Sequence, residues 1–112
     1  MKTVTIDVAP LDAVKRRMAD ALKGKMRGAY ITFSTHELMW KTLTPKRWAI
    51  LKIMTGAEAL GVREIARLVE RDVKGVHTDL QALAKAGVID RDEAKYVFPY
   101  DEIHVDFRLK AA

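Results

Sequence analysis

Residues 62–89 constrain the fold most strongly, because they predict two helices joined by a tight turn. The first helix is expected to bury Ile65, Ala66 and Val69. In the second, apolar residues recur at intervals of three and four, which marks one buried face of a helix. These residues are Val73, Val76, Leu80 and Leu83. The opposite face is polar and cationic, and it carries Lys74, His77, Thr78, Gln81 and Lys85. Such a helix pair can present its second helix to the major groove of DNA.

Composition is consistent with one small domain. The chain has 112 residues, of which 49% are hydrophobic and 31% are charged. Cysteine is absent, which excludes disulfides and cysteine metal sites and is compatible with the cytoplasm. The apolar runs are far shorter than a membrane span, and no signal peptide is visible at the N-terminus. We therefore expect a cytoplasmic protein that does not associate with membranes.

The charge distribution favours a polyanionic partner. The formal net charge is +5 at pH 7. Basic residues are in excess in the N-terminal segment and in residues 41–85, whereas the C-terminal tail is acidic. A basic surface attracts nucleic acid, although net charge alone does not specify a fold.

The segments before the helix pair supply further elements. Residues 3–8 predict a short edge strand, and residues 29–33 predict an extended segment or strand. Ser34 and Glu37 form a capping box, so a short helix should begin there. Thr44 and Pro45 start another helix, as cap and first helical residue. Its buried stripe comprises Trp48, Leu51 and Met54.

The segments after the helix pair predict a hairpin and a final strand. Gly87 ends the second helix, and strands at 88–90 and 96–98 enclose a turn at 91–95. Apolar residues alternate from Ile103 to Leu109, which is typical of a half-buried strand. We therefore predict a mainly α fold with a small β hairpin (α+β), namely a winged helix-turn-helix with an extra N-terminal amphipathic helix.

The N-terminal helix is the predicted site of self-association. Its apolar residues recur at helical spacing and are Leu11, Val14, Met18, Leu22 and Met26. This stripe packs either against the rest of the chain or against the same helix in a second copy. We favour a two-fold homodimer interface, because winged-helix repressors read two half-sites. The sequence thus divides into a partner-binding helix at 1–28 and a DNA-binding domain with a C-terminal strand at 29–112.

Several motifs carry a resemblance to known regulators. The helix exit Leu80-x-x-Leu83-x-x-x-Gly87-Val88-Ile89 resembles that of MarR-type and ArsR-type winged-helix regulators. A narrower resemblance, over about residues 30–107, is to a group of small prokaryotic transcriptional regulators that includes antitoxin-like members. It rests on four motifs: Leu43-Thr44-Pro45-Lys46-Arg47-Trp48, Val62-Arg63-Glu64-Ile65-Ala66, the segment 71–79 and the segment 99–106.

The second helix of the pair supplies the candidate base contacts. Its N-terminal half would lie nearest the base edges, with Lys74, Gly75, Thr78 and Gln81 facing outward. Lysine donates to guanine, glutamine pairs with adenine, and the threonine methyl contacts that of thymine. Gly75 either lets the backbone approach DNA or is merely tolerated near the helix start.

The candidate phosphate contacts are basic residues around this helix. They are Lys46, Arg47, Arg63, Arg71, His77 and Arg91. The ridge formed by Arg63, Arg67 and Arg71 either binds the DNA backbone or is a solvated face paired with glutamates. His77 contacts phosphate or a base, or is an ordinary exposed residue. Arg91 contacts phosphate, or the hairpin that carries it is mainly structural.

The chemistry of the chain favours a binding protein over an enzyme. We find no set of nucleophile, base and orienting group, no glycine-rich phosphate loop and no cluster of metal ligands. No cofactor is expected. We predict a sequence-specific DNA-binding transcriptional regulator that acts as a homodimeric repressor on double-stranded DNA. The alternative is an antitoxin that neutralises a small toxin and represses its own operon.

Overall fold

The chain forms an α+β fold in which two three-stranded sheets are joined by helices. The computed structural model describes residues 1–10, 15, 29–109 and 111. The described strands are β1 (Thr3–Val8), β2 (Ala29–Phe33), β3 (Leu60–Gly61), β4 (Asp90–Asp92), β5 (Lys95–Val97) and β6 (Glu102–Asp106). The described helices are α1 (His36–Thr42), α2 (Pro45–Met54), α3 (Val62–Leu68) and α4 (Val73–Lys85).

The prediction of a mainly α winged helix-turn-helix with a small β hairpin is wrong, because the described strands form both a parallel and an antiparallel sheet. The first sheet is parallel and has the order β2-β1-β6. The second is antiparallel and has the order β3-β5-β4. The parallel sheet could not be predicted from local patterns, because its central strand pairs with a strand almost a chain length away.

Strand β1, expected at a sheet edge, is the central strand of the parallel sheet. Val4 pairs with Ala29 of β2 on one side and with Ile103 of β6 on the other. The side chains of Val4 and Ile6 are fully buried, so one face of this strand packs into the core. Residues 3–8 therefore share a sheet with Ala29–Phe33 and with Glu102–Asp106 near the end of the sequence.

The hydrophobic core of the described residues lies between the parallel sheet, the helices and strand β5. Its largest buried side chains come from β1, from the inner faces of α2, α3 and α4, and from the segment that contains β5. They are Ile6, Ile50, Leu51, Met54, Ile65, Leu80, Leu83 and Phe98. Trp48, predicted to belong to the buried stripe of α2, is only partly buried against this core. The buried residues of α2 are Ile50, Leu51 and Met54.

Capping residues in the sequence predict the starts of α1 and α2 to within one residue. Thr44 caps α2 by accepting a hydrogen bond from the amide of Arg47, and Pro45 is the first helical residue. Helix α1 begins one residue later than expected: Thr35, and not Ser34, accepts from the amide of Leu38. The hairpin strands are also displaced toward the turn, because Val88 and Ile89 belong to the buried core.

Candidate nucleic-acid interface

Helix α4 is fixed at both ends by caps that its sequence provides. The side chain of Asp72 accepts a hydrogen bond from the amide of Gly75 at 2.9 Å. At the other end, Gly87 adopts φ +80°, and the amide of Val88 bonds back to the carbonyl oxygen of Leu83 at 3.0 Å. This left-handed C-terminal geometry favours glycine. The 13-residue helix is therefore a well-defined element.

The outer face of α4 is exposed and free of acidic side chains. The buried face carries Val76, Leu80 and Leu83, as the spacing predicted. Val73, predicted to be buried, is 43% exposed. The side chains that point outward are Lys74, His77, Thr78, Gln81 and Lys85, and we call this set the outer face of α4. The hydroxyl of Thr78 donates to the carbonyl oxygen of Lys74 at 3.1 Å.

The one carboxylate of α4, Asp79, is turned inward between two arginines. Its Oδ1 lies 3.0 Å from Nε of Arg47 and accepts a hydrogen bond from it. Its Oδ2 lies 2.9 Å from Nη1 of Arg71 as an ion pair, without the alignment of a hydrogen bond. All three side chains are partly buried, with between 15% and 21% of their surface exposed.

Arg47, Arg71 and Asp79 form an ion-pair cluster that joins three parts of the fold to α4. Arg47 belongs to the first turn of α2, and Arg71 to the turn between α3 and α4. Nη1 of Arg47 also donates to the carbonyl oxygen of Thr42 at 3.0 Å, at the end of α1. Asp79 therefore positions α4 against its neighbours and removes negative charge from the outer face.

The role of Asp79 was not predicted, because its partner Arg47 is distant in the sequence. Arg47 and Asp79 are 32 positions apart, so no helical spacing connects them. The available signal was that α4 contains a single acidic residue beside its apolar stripe. Arg47 and Arg71, predicted to contact phosphate, have partners within the chain. Their contact with phosphate stays a prediction.

The pKa of Asp79 is lowered by its two partners. Burial alone would raise the pKa of this carboxyl group, but the contacts with Arg47 and Arg71 lower it below the ordinary value of 3.8. A carboxyl group whose folded-state pKa is depressed stabilises the protein above its unfolded-state pKa. That stabilisation is lost as the pH falls through the lower, folded-state value.

Acid unfolding should report this linkage. We expect the free energy of unfolding of the wild type to exceed that of Asp79→Asn at neutral pH, and the difference to shrink below about pH 4. Urea titrations monitored by circular dichroism from pH 7 to pH 2.5 would measure it. A difference that stays constant over this range would show that the charge of Asp79 does not contribute.

Gly75 has a structural explanation within the chain. A Cβ atom at this position would lie 3.0 Å from Oδ1 of Asp72 and 3.2 Å from Nη2 of Arg71. A larger residue would therefore crowd both the helix cap and the arginine that pairs with Asp79. This requirement is independent of any approach of the backbone to DNA, which stays a prediction.

The remaining residues predicted to contact phosphate differ in whether their side chains are exposed or bonded within the chain. Lys46 and Arg63 are exposed in the first turns of α2 and α3. His77 is exposed on the outer face of α4. Arg91 is engaged locally, because its Nε donates to the carbonyl oxygen of Glu93 at 2.9 Å. Glu93 has φ +55°, so this bond helps to hold the turn between β4 and β5.

Three other expectations concern the dimer interface, metal binding and membranes. The predicted dimer-interface residues Leu11, Val14, Met18, Leu22 and Met26 lie outside the described residues. In the described part of the chain, no three histidine or acidic side chains are grouped as metal ligands would be. None of the helices described is both long enough and apolar enough to cross a membrane.

Comparison with known proteins gives one family. The sequence model of the HVO_A0114 family matches residues 42–105. The matched segment runs from the end of α1 to β6 and includes α4 with its ion-pair cluster. No curated protein matches the chain. The match covers more than half of the sequence, and the chain therefore belongs to the HVO_A0114 family.

Proposed function

We propose that the protein binds double-stranded DNA through the outer face of α4 and regulates transcription, most simply as a homodimeric repressor. The observation that carries this proposal is the separation of charge on α4. Its polar and basic side chains are exposed, and its single carboxylate is held inward by Arg47 and Arg71. A regulator of this kind would act on chromosomal DNA in the cytoplasm.

The dimensions and chemistry of α4 suit the major groove. A helix of 13 residues is about 20 Å long, and the major groove is about 12 Å wide, enough to admit a helix. Lys74 can donate to guanine O6 and N7, and Gln81 can pair with adenine. The Thr78 hydroxyl is bonded to its own helix, which leaves its methyl group for contact with thymine.

Two exposed basic residues are positioned to hold the DNA backbone. Lys46 and Arg63 each follow closely on the start of a helix, where a cation is unfavourable because of the helix dipole. The first turn of α2 contains no acidic residue that would offset Lys46, whereas the first turn of α3 contains Glu64 beside Arg63. A phosphate group would stabilise both the cation and the helix N-terminus. We therefore assign phosphate contacts to Lys46 and Arg63 first.

Salt dependence tests these phosphate contacts. Each of Lys46→Ala and Arg63→Ala should reduce the slope of log K against log salt by about one unit. Lys52→Ala is the matched control, because Lys52 is exposed on α2 but lines a depression together with Ile103, which belongs to β6. Fluorescence anisotropy at several salt concentrations gives the slopes. Slopes that fall equally in all three variants would contradict the assignment of phosphate contacts to Lys46 and Arg63 in particular.

The proposal as a whole is tested with the DNA upstream of the protein's own gene. Anisotropy titrations would compare this duplex with a shuffled duplex of equal composition and with an RNA duplex of the same sequence. We expect the upstream duplex to bind at least ten times more tightly than either, since specific sites exceed non-specific binding by large factors. Equal affinity for all three would contradict sequence-specific DNA binding.

A further inference from the structure

The second half of strand β6 and the segment after it leave an aromatic surface uncovered. The alternation from Ile103 to Leu109 predicted a buried face, but Val105 and Phe107 are 42% and 40% exposed. They adjoin Trp40 of α1, which is 56% exposed. The rings of Trp40 and His36 lie 5.5 Å and 4.9 Å from that of Phe107. We call His36, Trp40, Val105 and Phe107 the aromatic patch.

The aromatic patch lies beside a depression in the protein surface. A depression of about 270 Å³ adjoins it and is lined by Met39, Trp40, Leu43, Trp48, Val105 and Phe107. No charged side chain is among these lining residues. Aromatic and methionine side chains are enriched in protein interfaces, and tryptophan is a frequent energetic anchor. Exposed apolar surface of this kind marks an interaction site.

We propose that the aromatic patch is the interface between two copies of this chain, related by a two-fold axis. A two-fold interface uses the same surface on both partners, so that surface must carry both prominence and hollow. The patch offers exposed rings beside a hollow, since Trp40 and Phe107 are 56% and 40% exposed and also line the depression. Each copy can then place an aromatic ring in the hollow of the other.

The charged residues next to the patch along the chain have both signs. Glu37 and Lys41 lie on α1, Asp106 ends β6 and Arg108 follows it. These two acidic and two basic groups carry no net charge, so they do not oppose the approach of a second copy. Arg108 and Asp106 lie 3.5 Å apart as an ion pair. A nucleic acid would require an excess of positive charge.

Strand β6 offers the same partner a second means of attachment. Within the described residues it pairs with β1 alone, so its outer edge has free backbone donors and acceptors. Such an edge can pair with another strand. An antiparallel pair of β6 strands would have the two-fold symmetry that the aromatic patch requires. This interface is separate from α4 and does not depend on DNA binding.

Sedimentation equilibrium of the full chain without DNA tests the proposal. We expect a dimer at micromolar concentration and at least a tenfold higher dissociation constant for Trp40→Glu. Leu68→Glu is the matched control, because Leu68 is 47% exposed on α3, away from the patch, and should leave the dimer intact. A monomeric wild type, or a Trp40→Glu dimer of unchanged strength, would overturn the proposal.

A cross-linking variant keeps the proposal testable even where Trp40→Glu fails to fold. The natural chain has no cysteine, so Phe107→Cys introduces a single thiol at the patch. Oxidised glutathione should convert this variant to a disulfide-linked dimer, and Leu68→Cys should remain a monomer on denaturing gels. Equal cross-linking of the two variants would contradict a specific interface at Phe107. Because neither measurement uses DNA, their failure is distinct from failure of the proposed function.

Discussion

A variant with alanine in place of Lys74, Thr78 and Gln81 is expected to bind its DNA site at least about 100-fold more weakly than the wild type. Each good base contact contributes about 1–3 kcal/mol, and these three side chains are the candidates for base contact on α4. All three are exposed, so the free energy of unfolding should change by no more than about 0.5 kcal/mol per site. Anisotropy titration and urea unfolding would measure both quantities.

The control for this variant comes from the same helix. Lys85→Ala removes a charge from the last turn of α4, beyond the part expected to contact bases. It should weaken specific and shuffled duplexes by similar, small factors, because a phosphate contact carries no sequence information. If the triple variant also weakens both duplexes equally, α4 would supply charge alone and would not read bases.

The second large effect is expected on stability. Asp79→Ala leaves Arg47 and Arg71 partly buried, close together and without their carboxylate. We expect the free energy of unfolding to fall by about 2 kcal/mol, less than for a fully buried pair because all three side chains retain some exposure. For a chain of this size, that loss lowers the melting temperature by about 10 °C.

A mutant cycle separates this effect from the loss of an ordinary side chain. Asp90→Ala, on exposed strand β4, is the matched control and should change stability by less than about 0.5 kcal/mol. The double variant Arg47→Ala with Asp79→Ala should be less destabilised than the sum of the single variants, because the two residues share one interaction. Additive effects would show that the ion pair contributes nothing to stability.

The part of the fold that could be predicted is the part determined by neighbouring residues. Thr44, Asp72 and Gly87 mark helix ends through contacts that span three to five positions. Such features are local or have few alternatives, so sequence patterns determine them.

The parallel sheet and the ion-pair cluster depend on distant parts of the chain. Nothing near Val4 or Ile6 indicates that β1 lies between two parallel strands, and its short alternating pattern equally suits an edge. The pairing of Arg47 and Arg71 was not evident from the sequence, because their partner Asp79 comes from another element. The exposed aromatic patch was missed for the same reason: alternation predicts a buried face without showing what covers it.

The role of Asp79 links the fold to the proposed function. By pairing with Arg47 and Arg71, it holds α4 in a fixed orientation and keeps a negative charge away from the outer face. The basic groups that remain exposed, among them Lys46, Arg63 and Lys74, are then the ones available to DNA. Lys74 variants should therefore weaken DNA binding without loss of stability, whereas Asp79 variants should reduce stability and, through the orientation of α4, DNA binding as well.

The most direct test of DNA reading by α4 is selection of genomic DNA fragments by the purified protein. Fragments bound by the wild type and by the triple alanine variant of Lys74, Thr78 and Gln81 would be sequenced and compared. We predict that the wild type enriches a small set of fragments sharing one short sequence, and that the variant loses this enrichment while remaining folded. The same fragments enriched by both proteins would contradict the assignment of base recognition to α4.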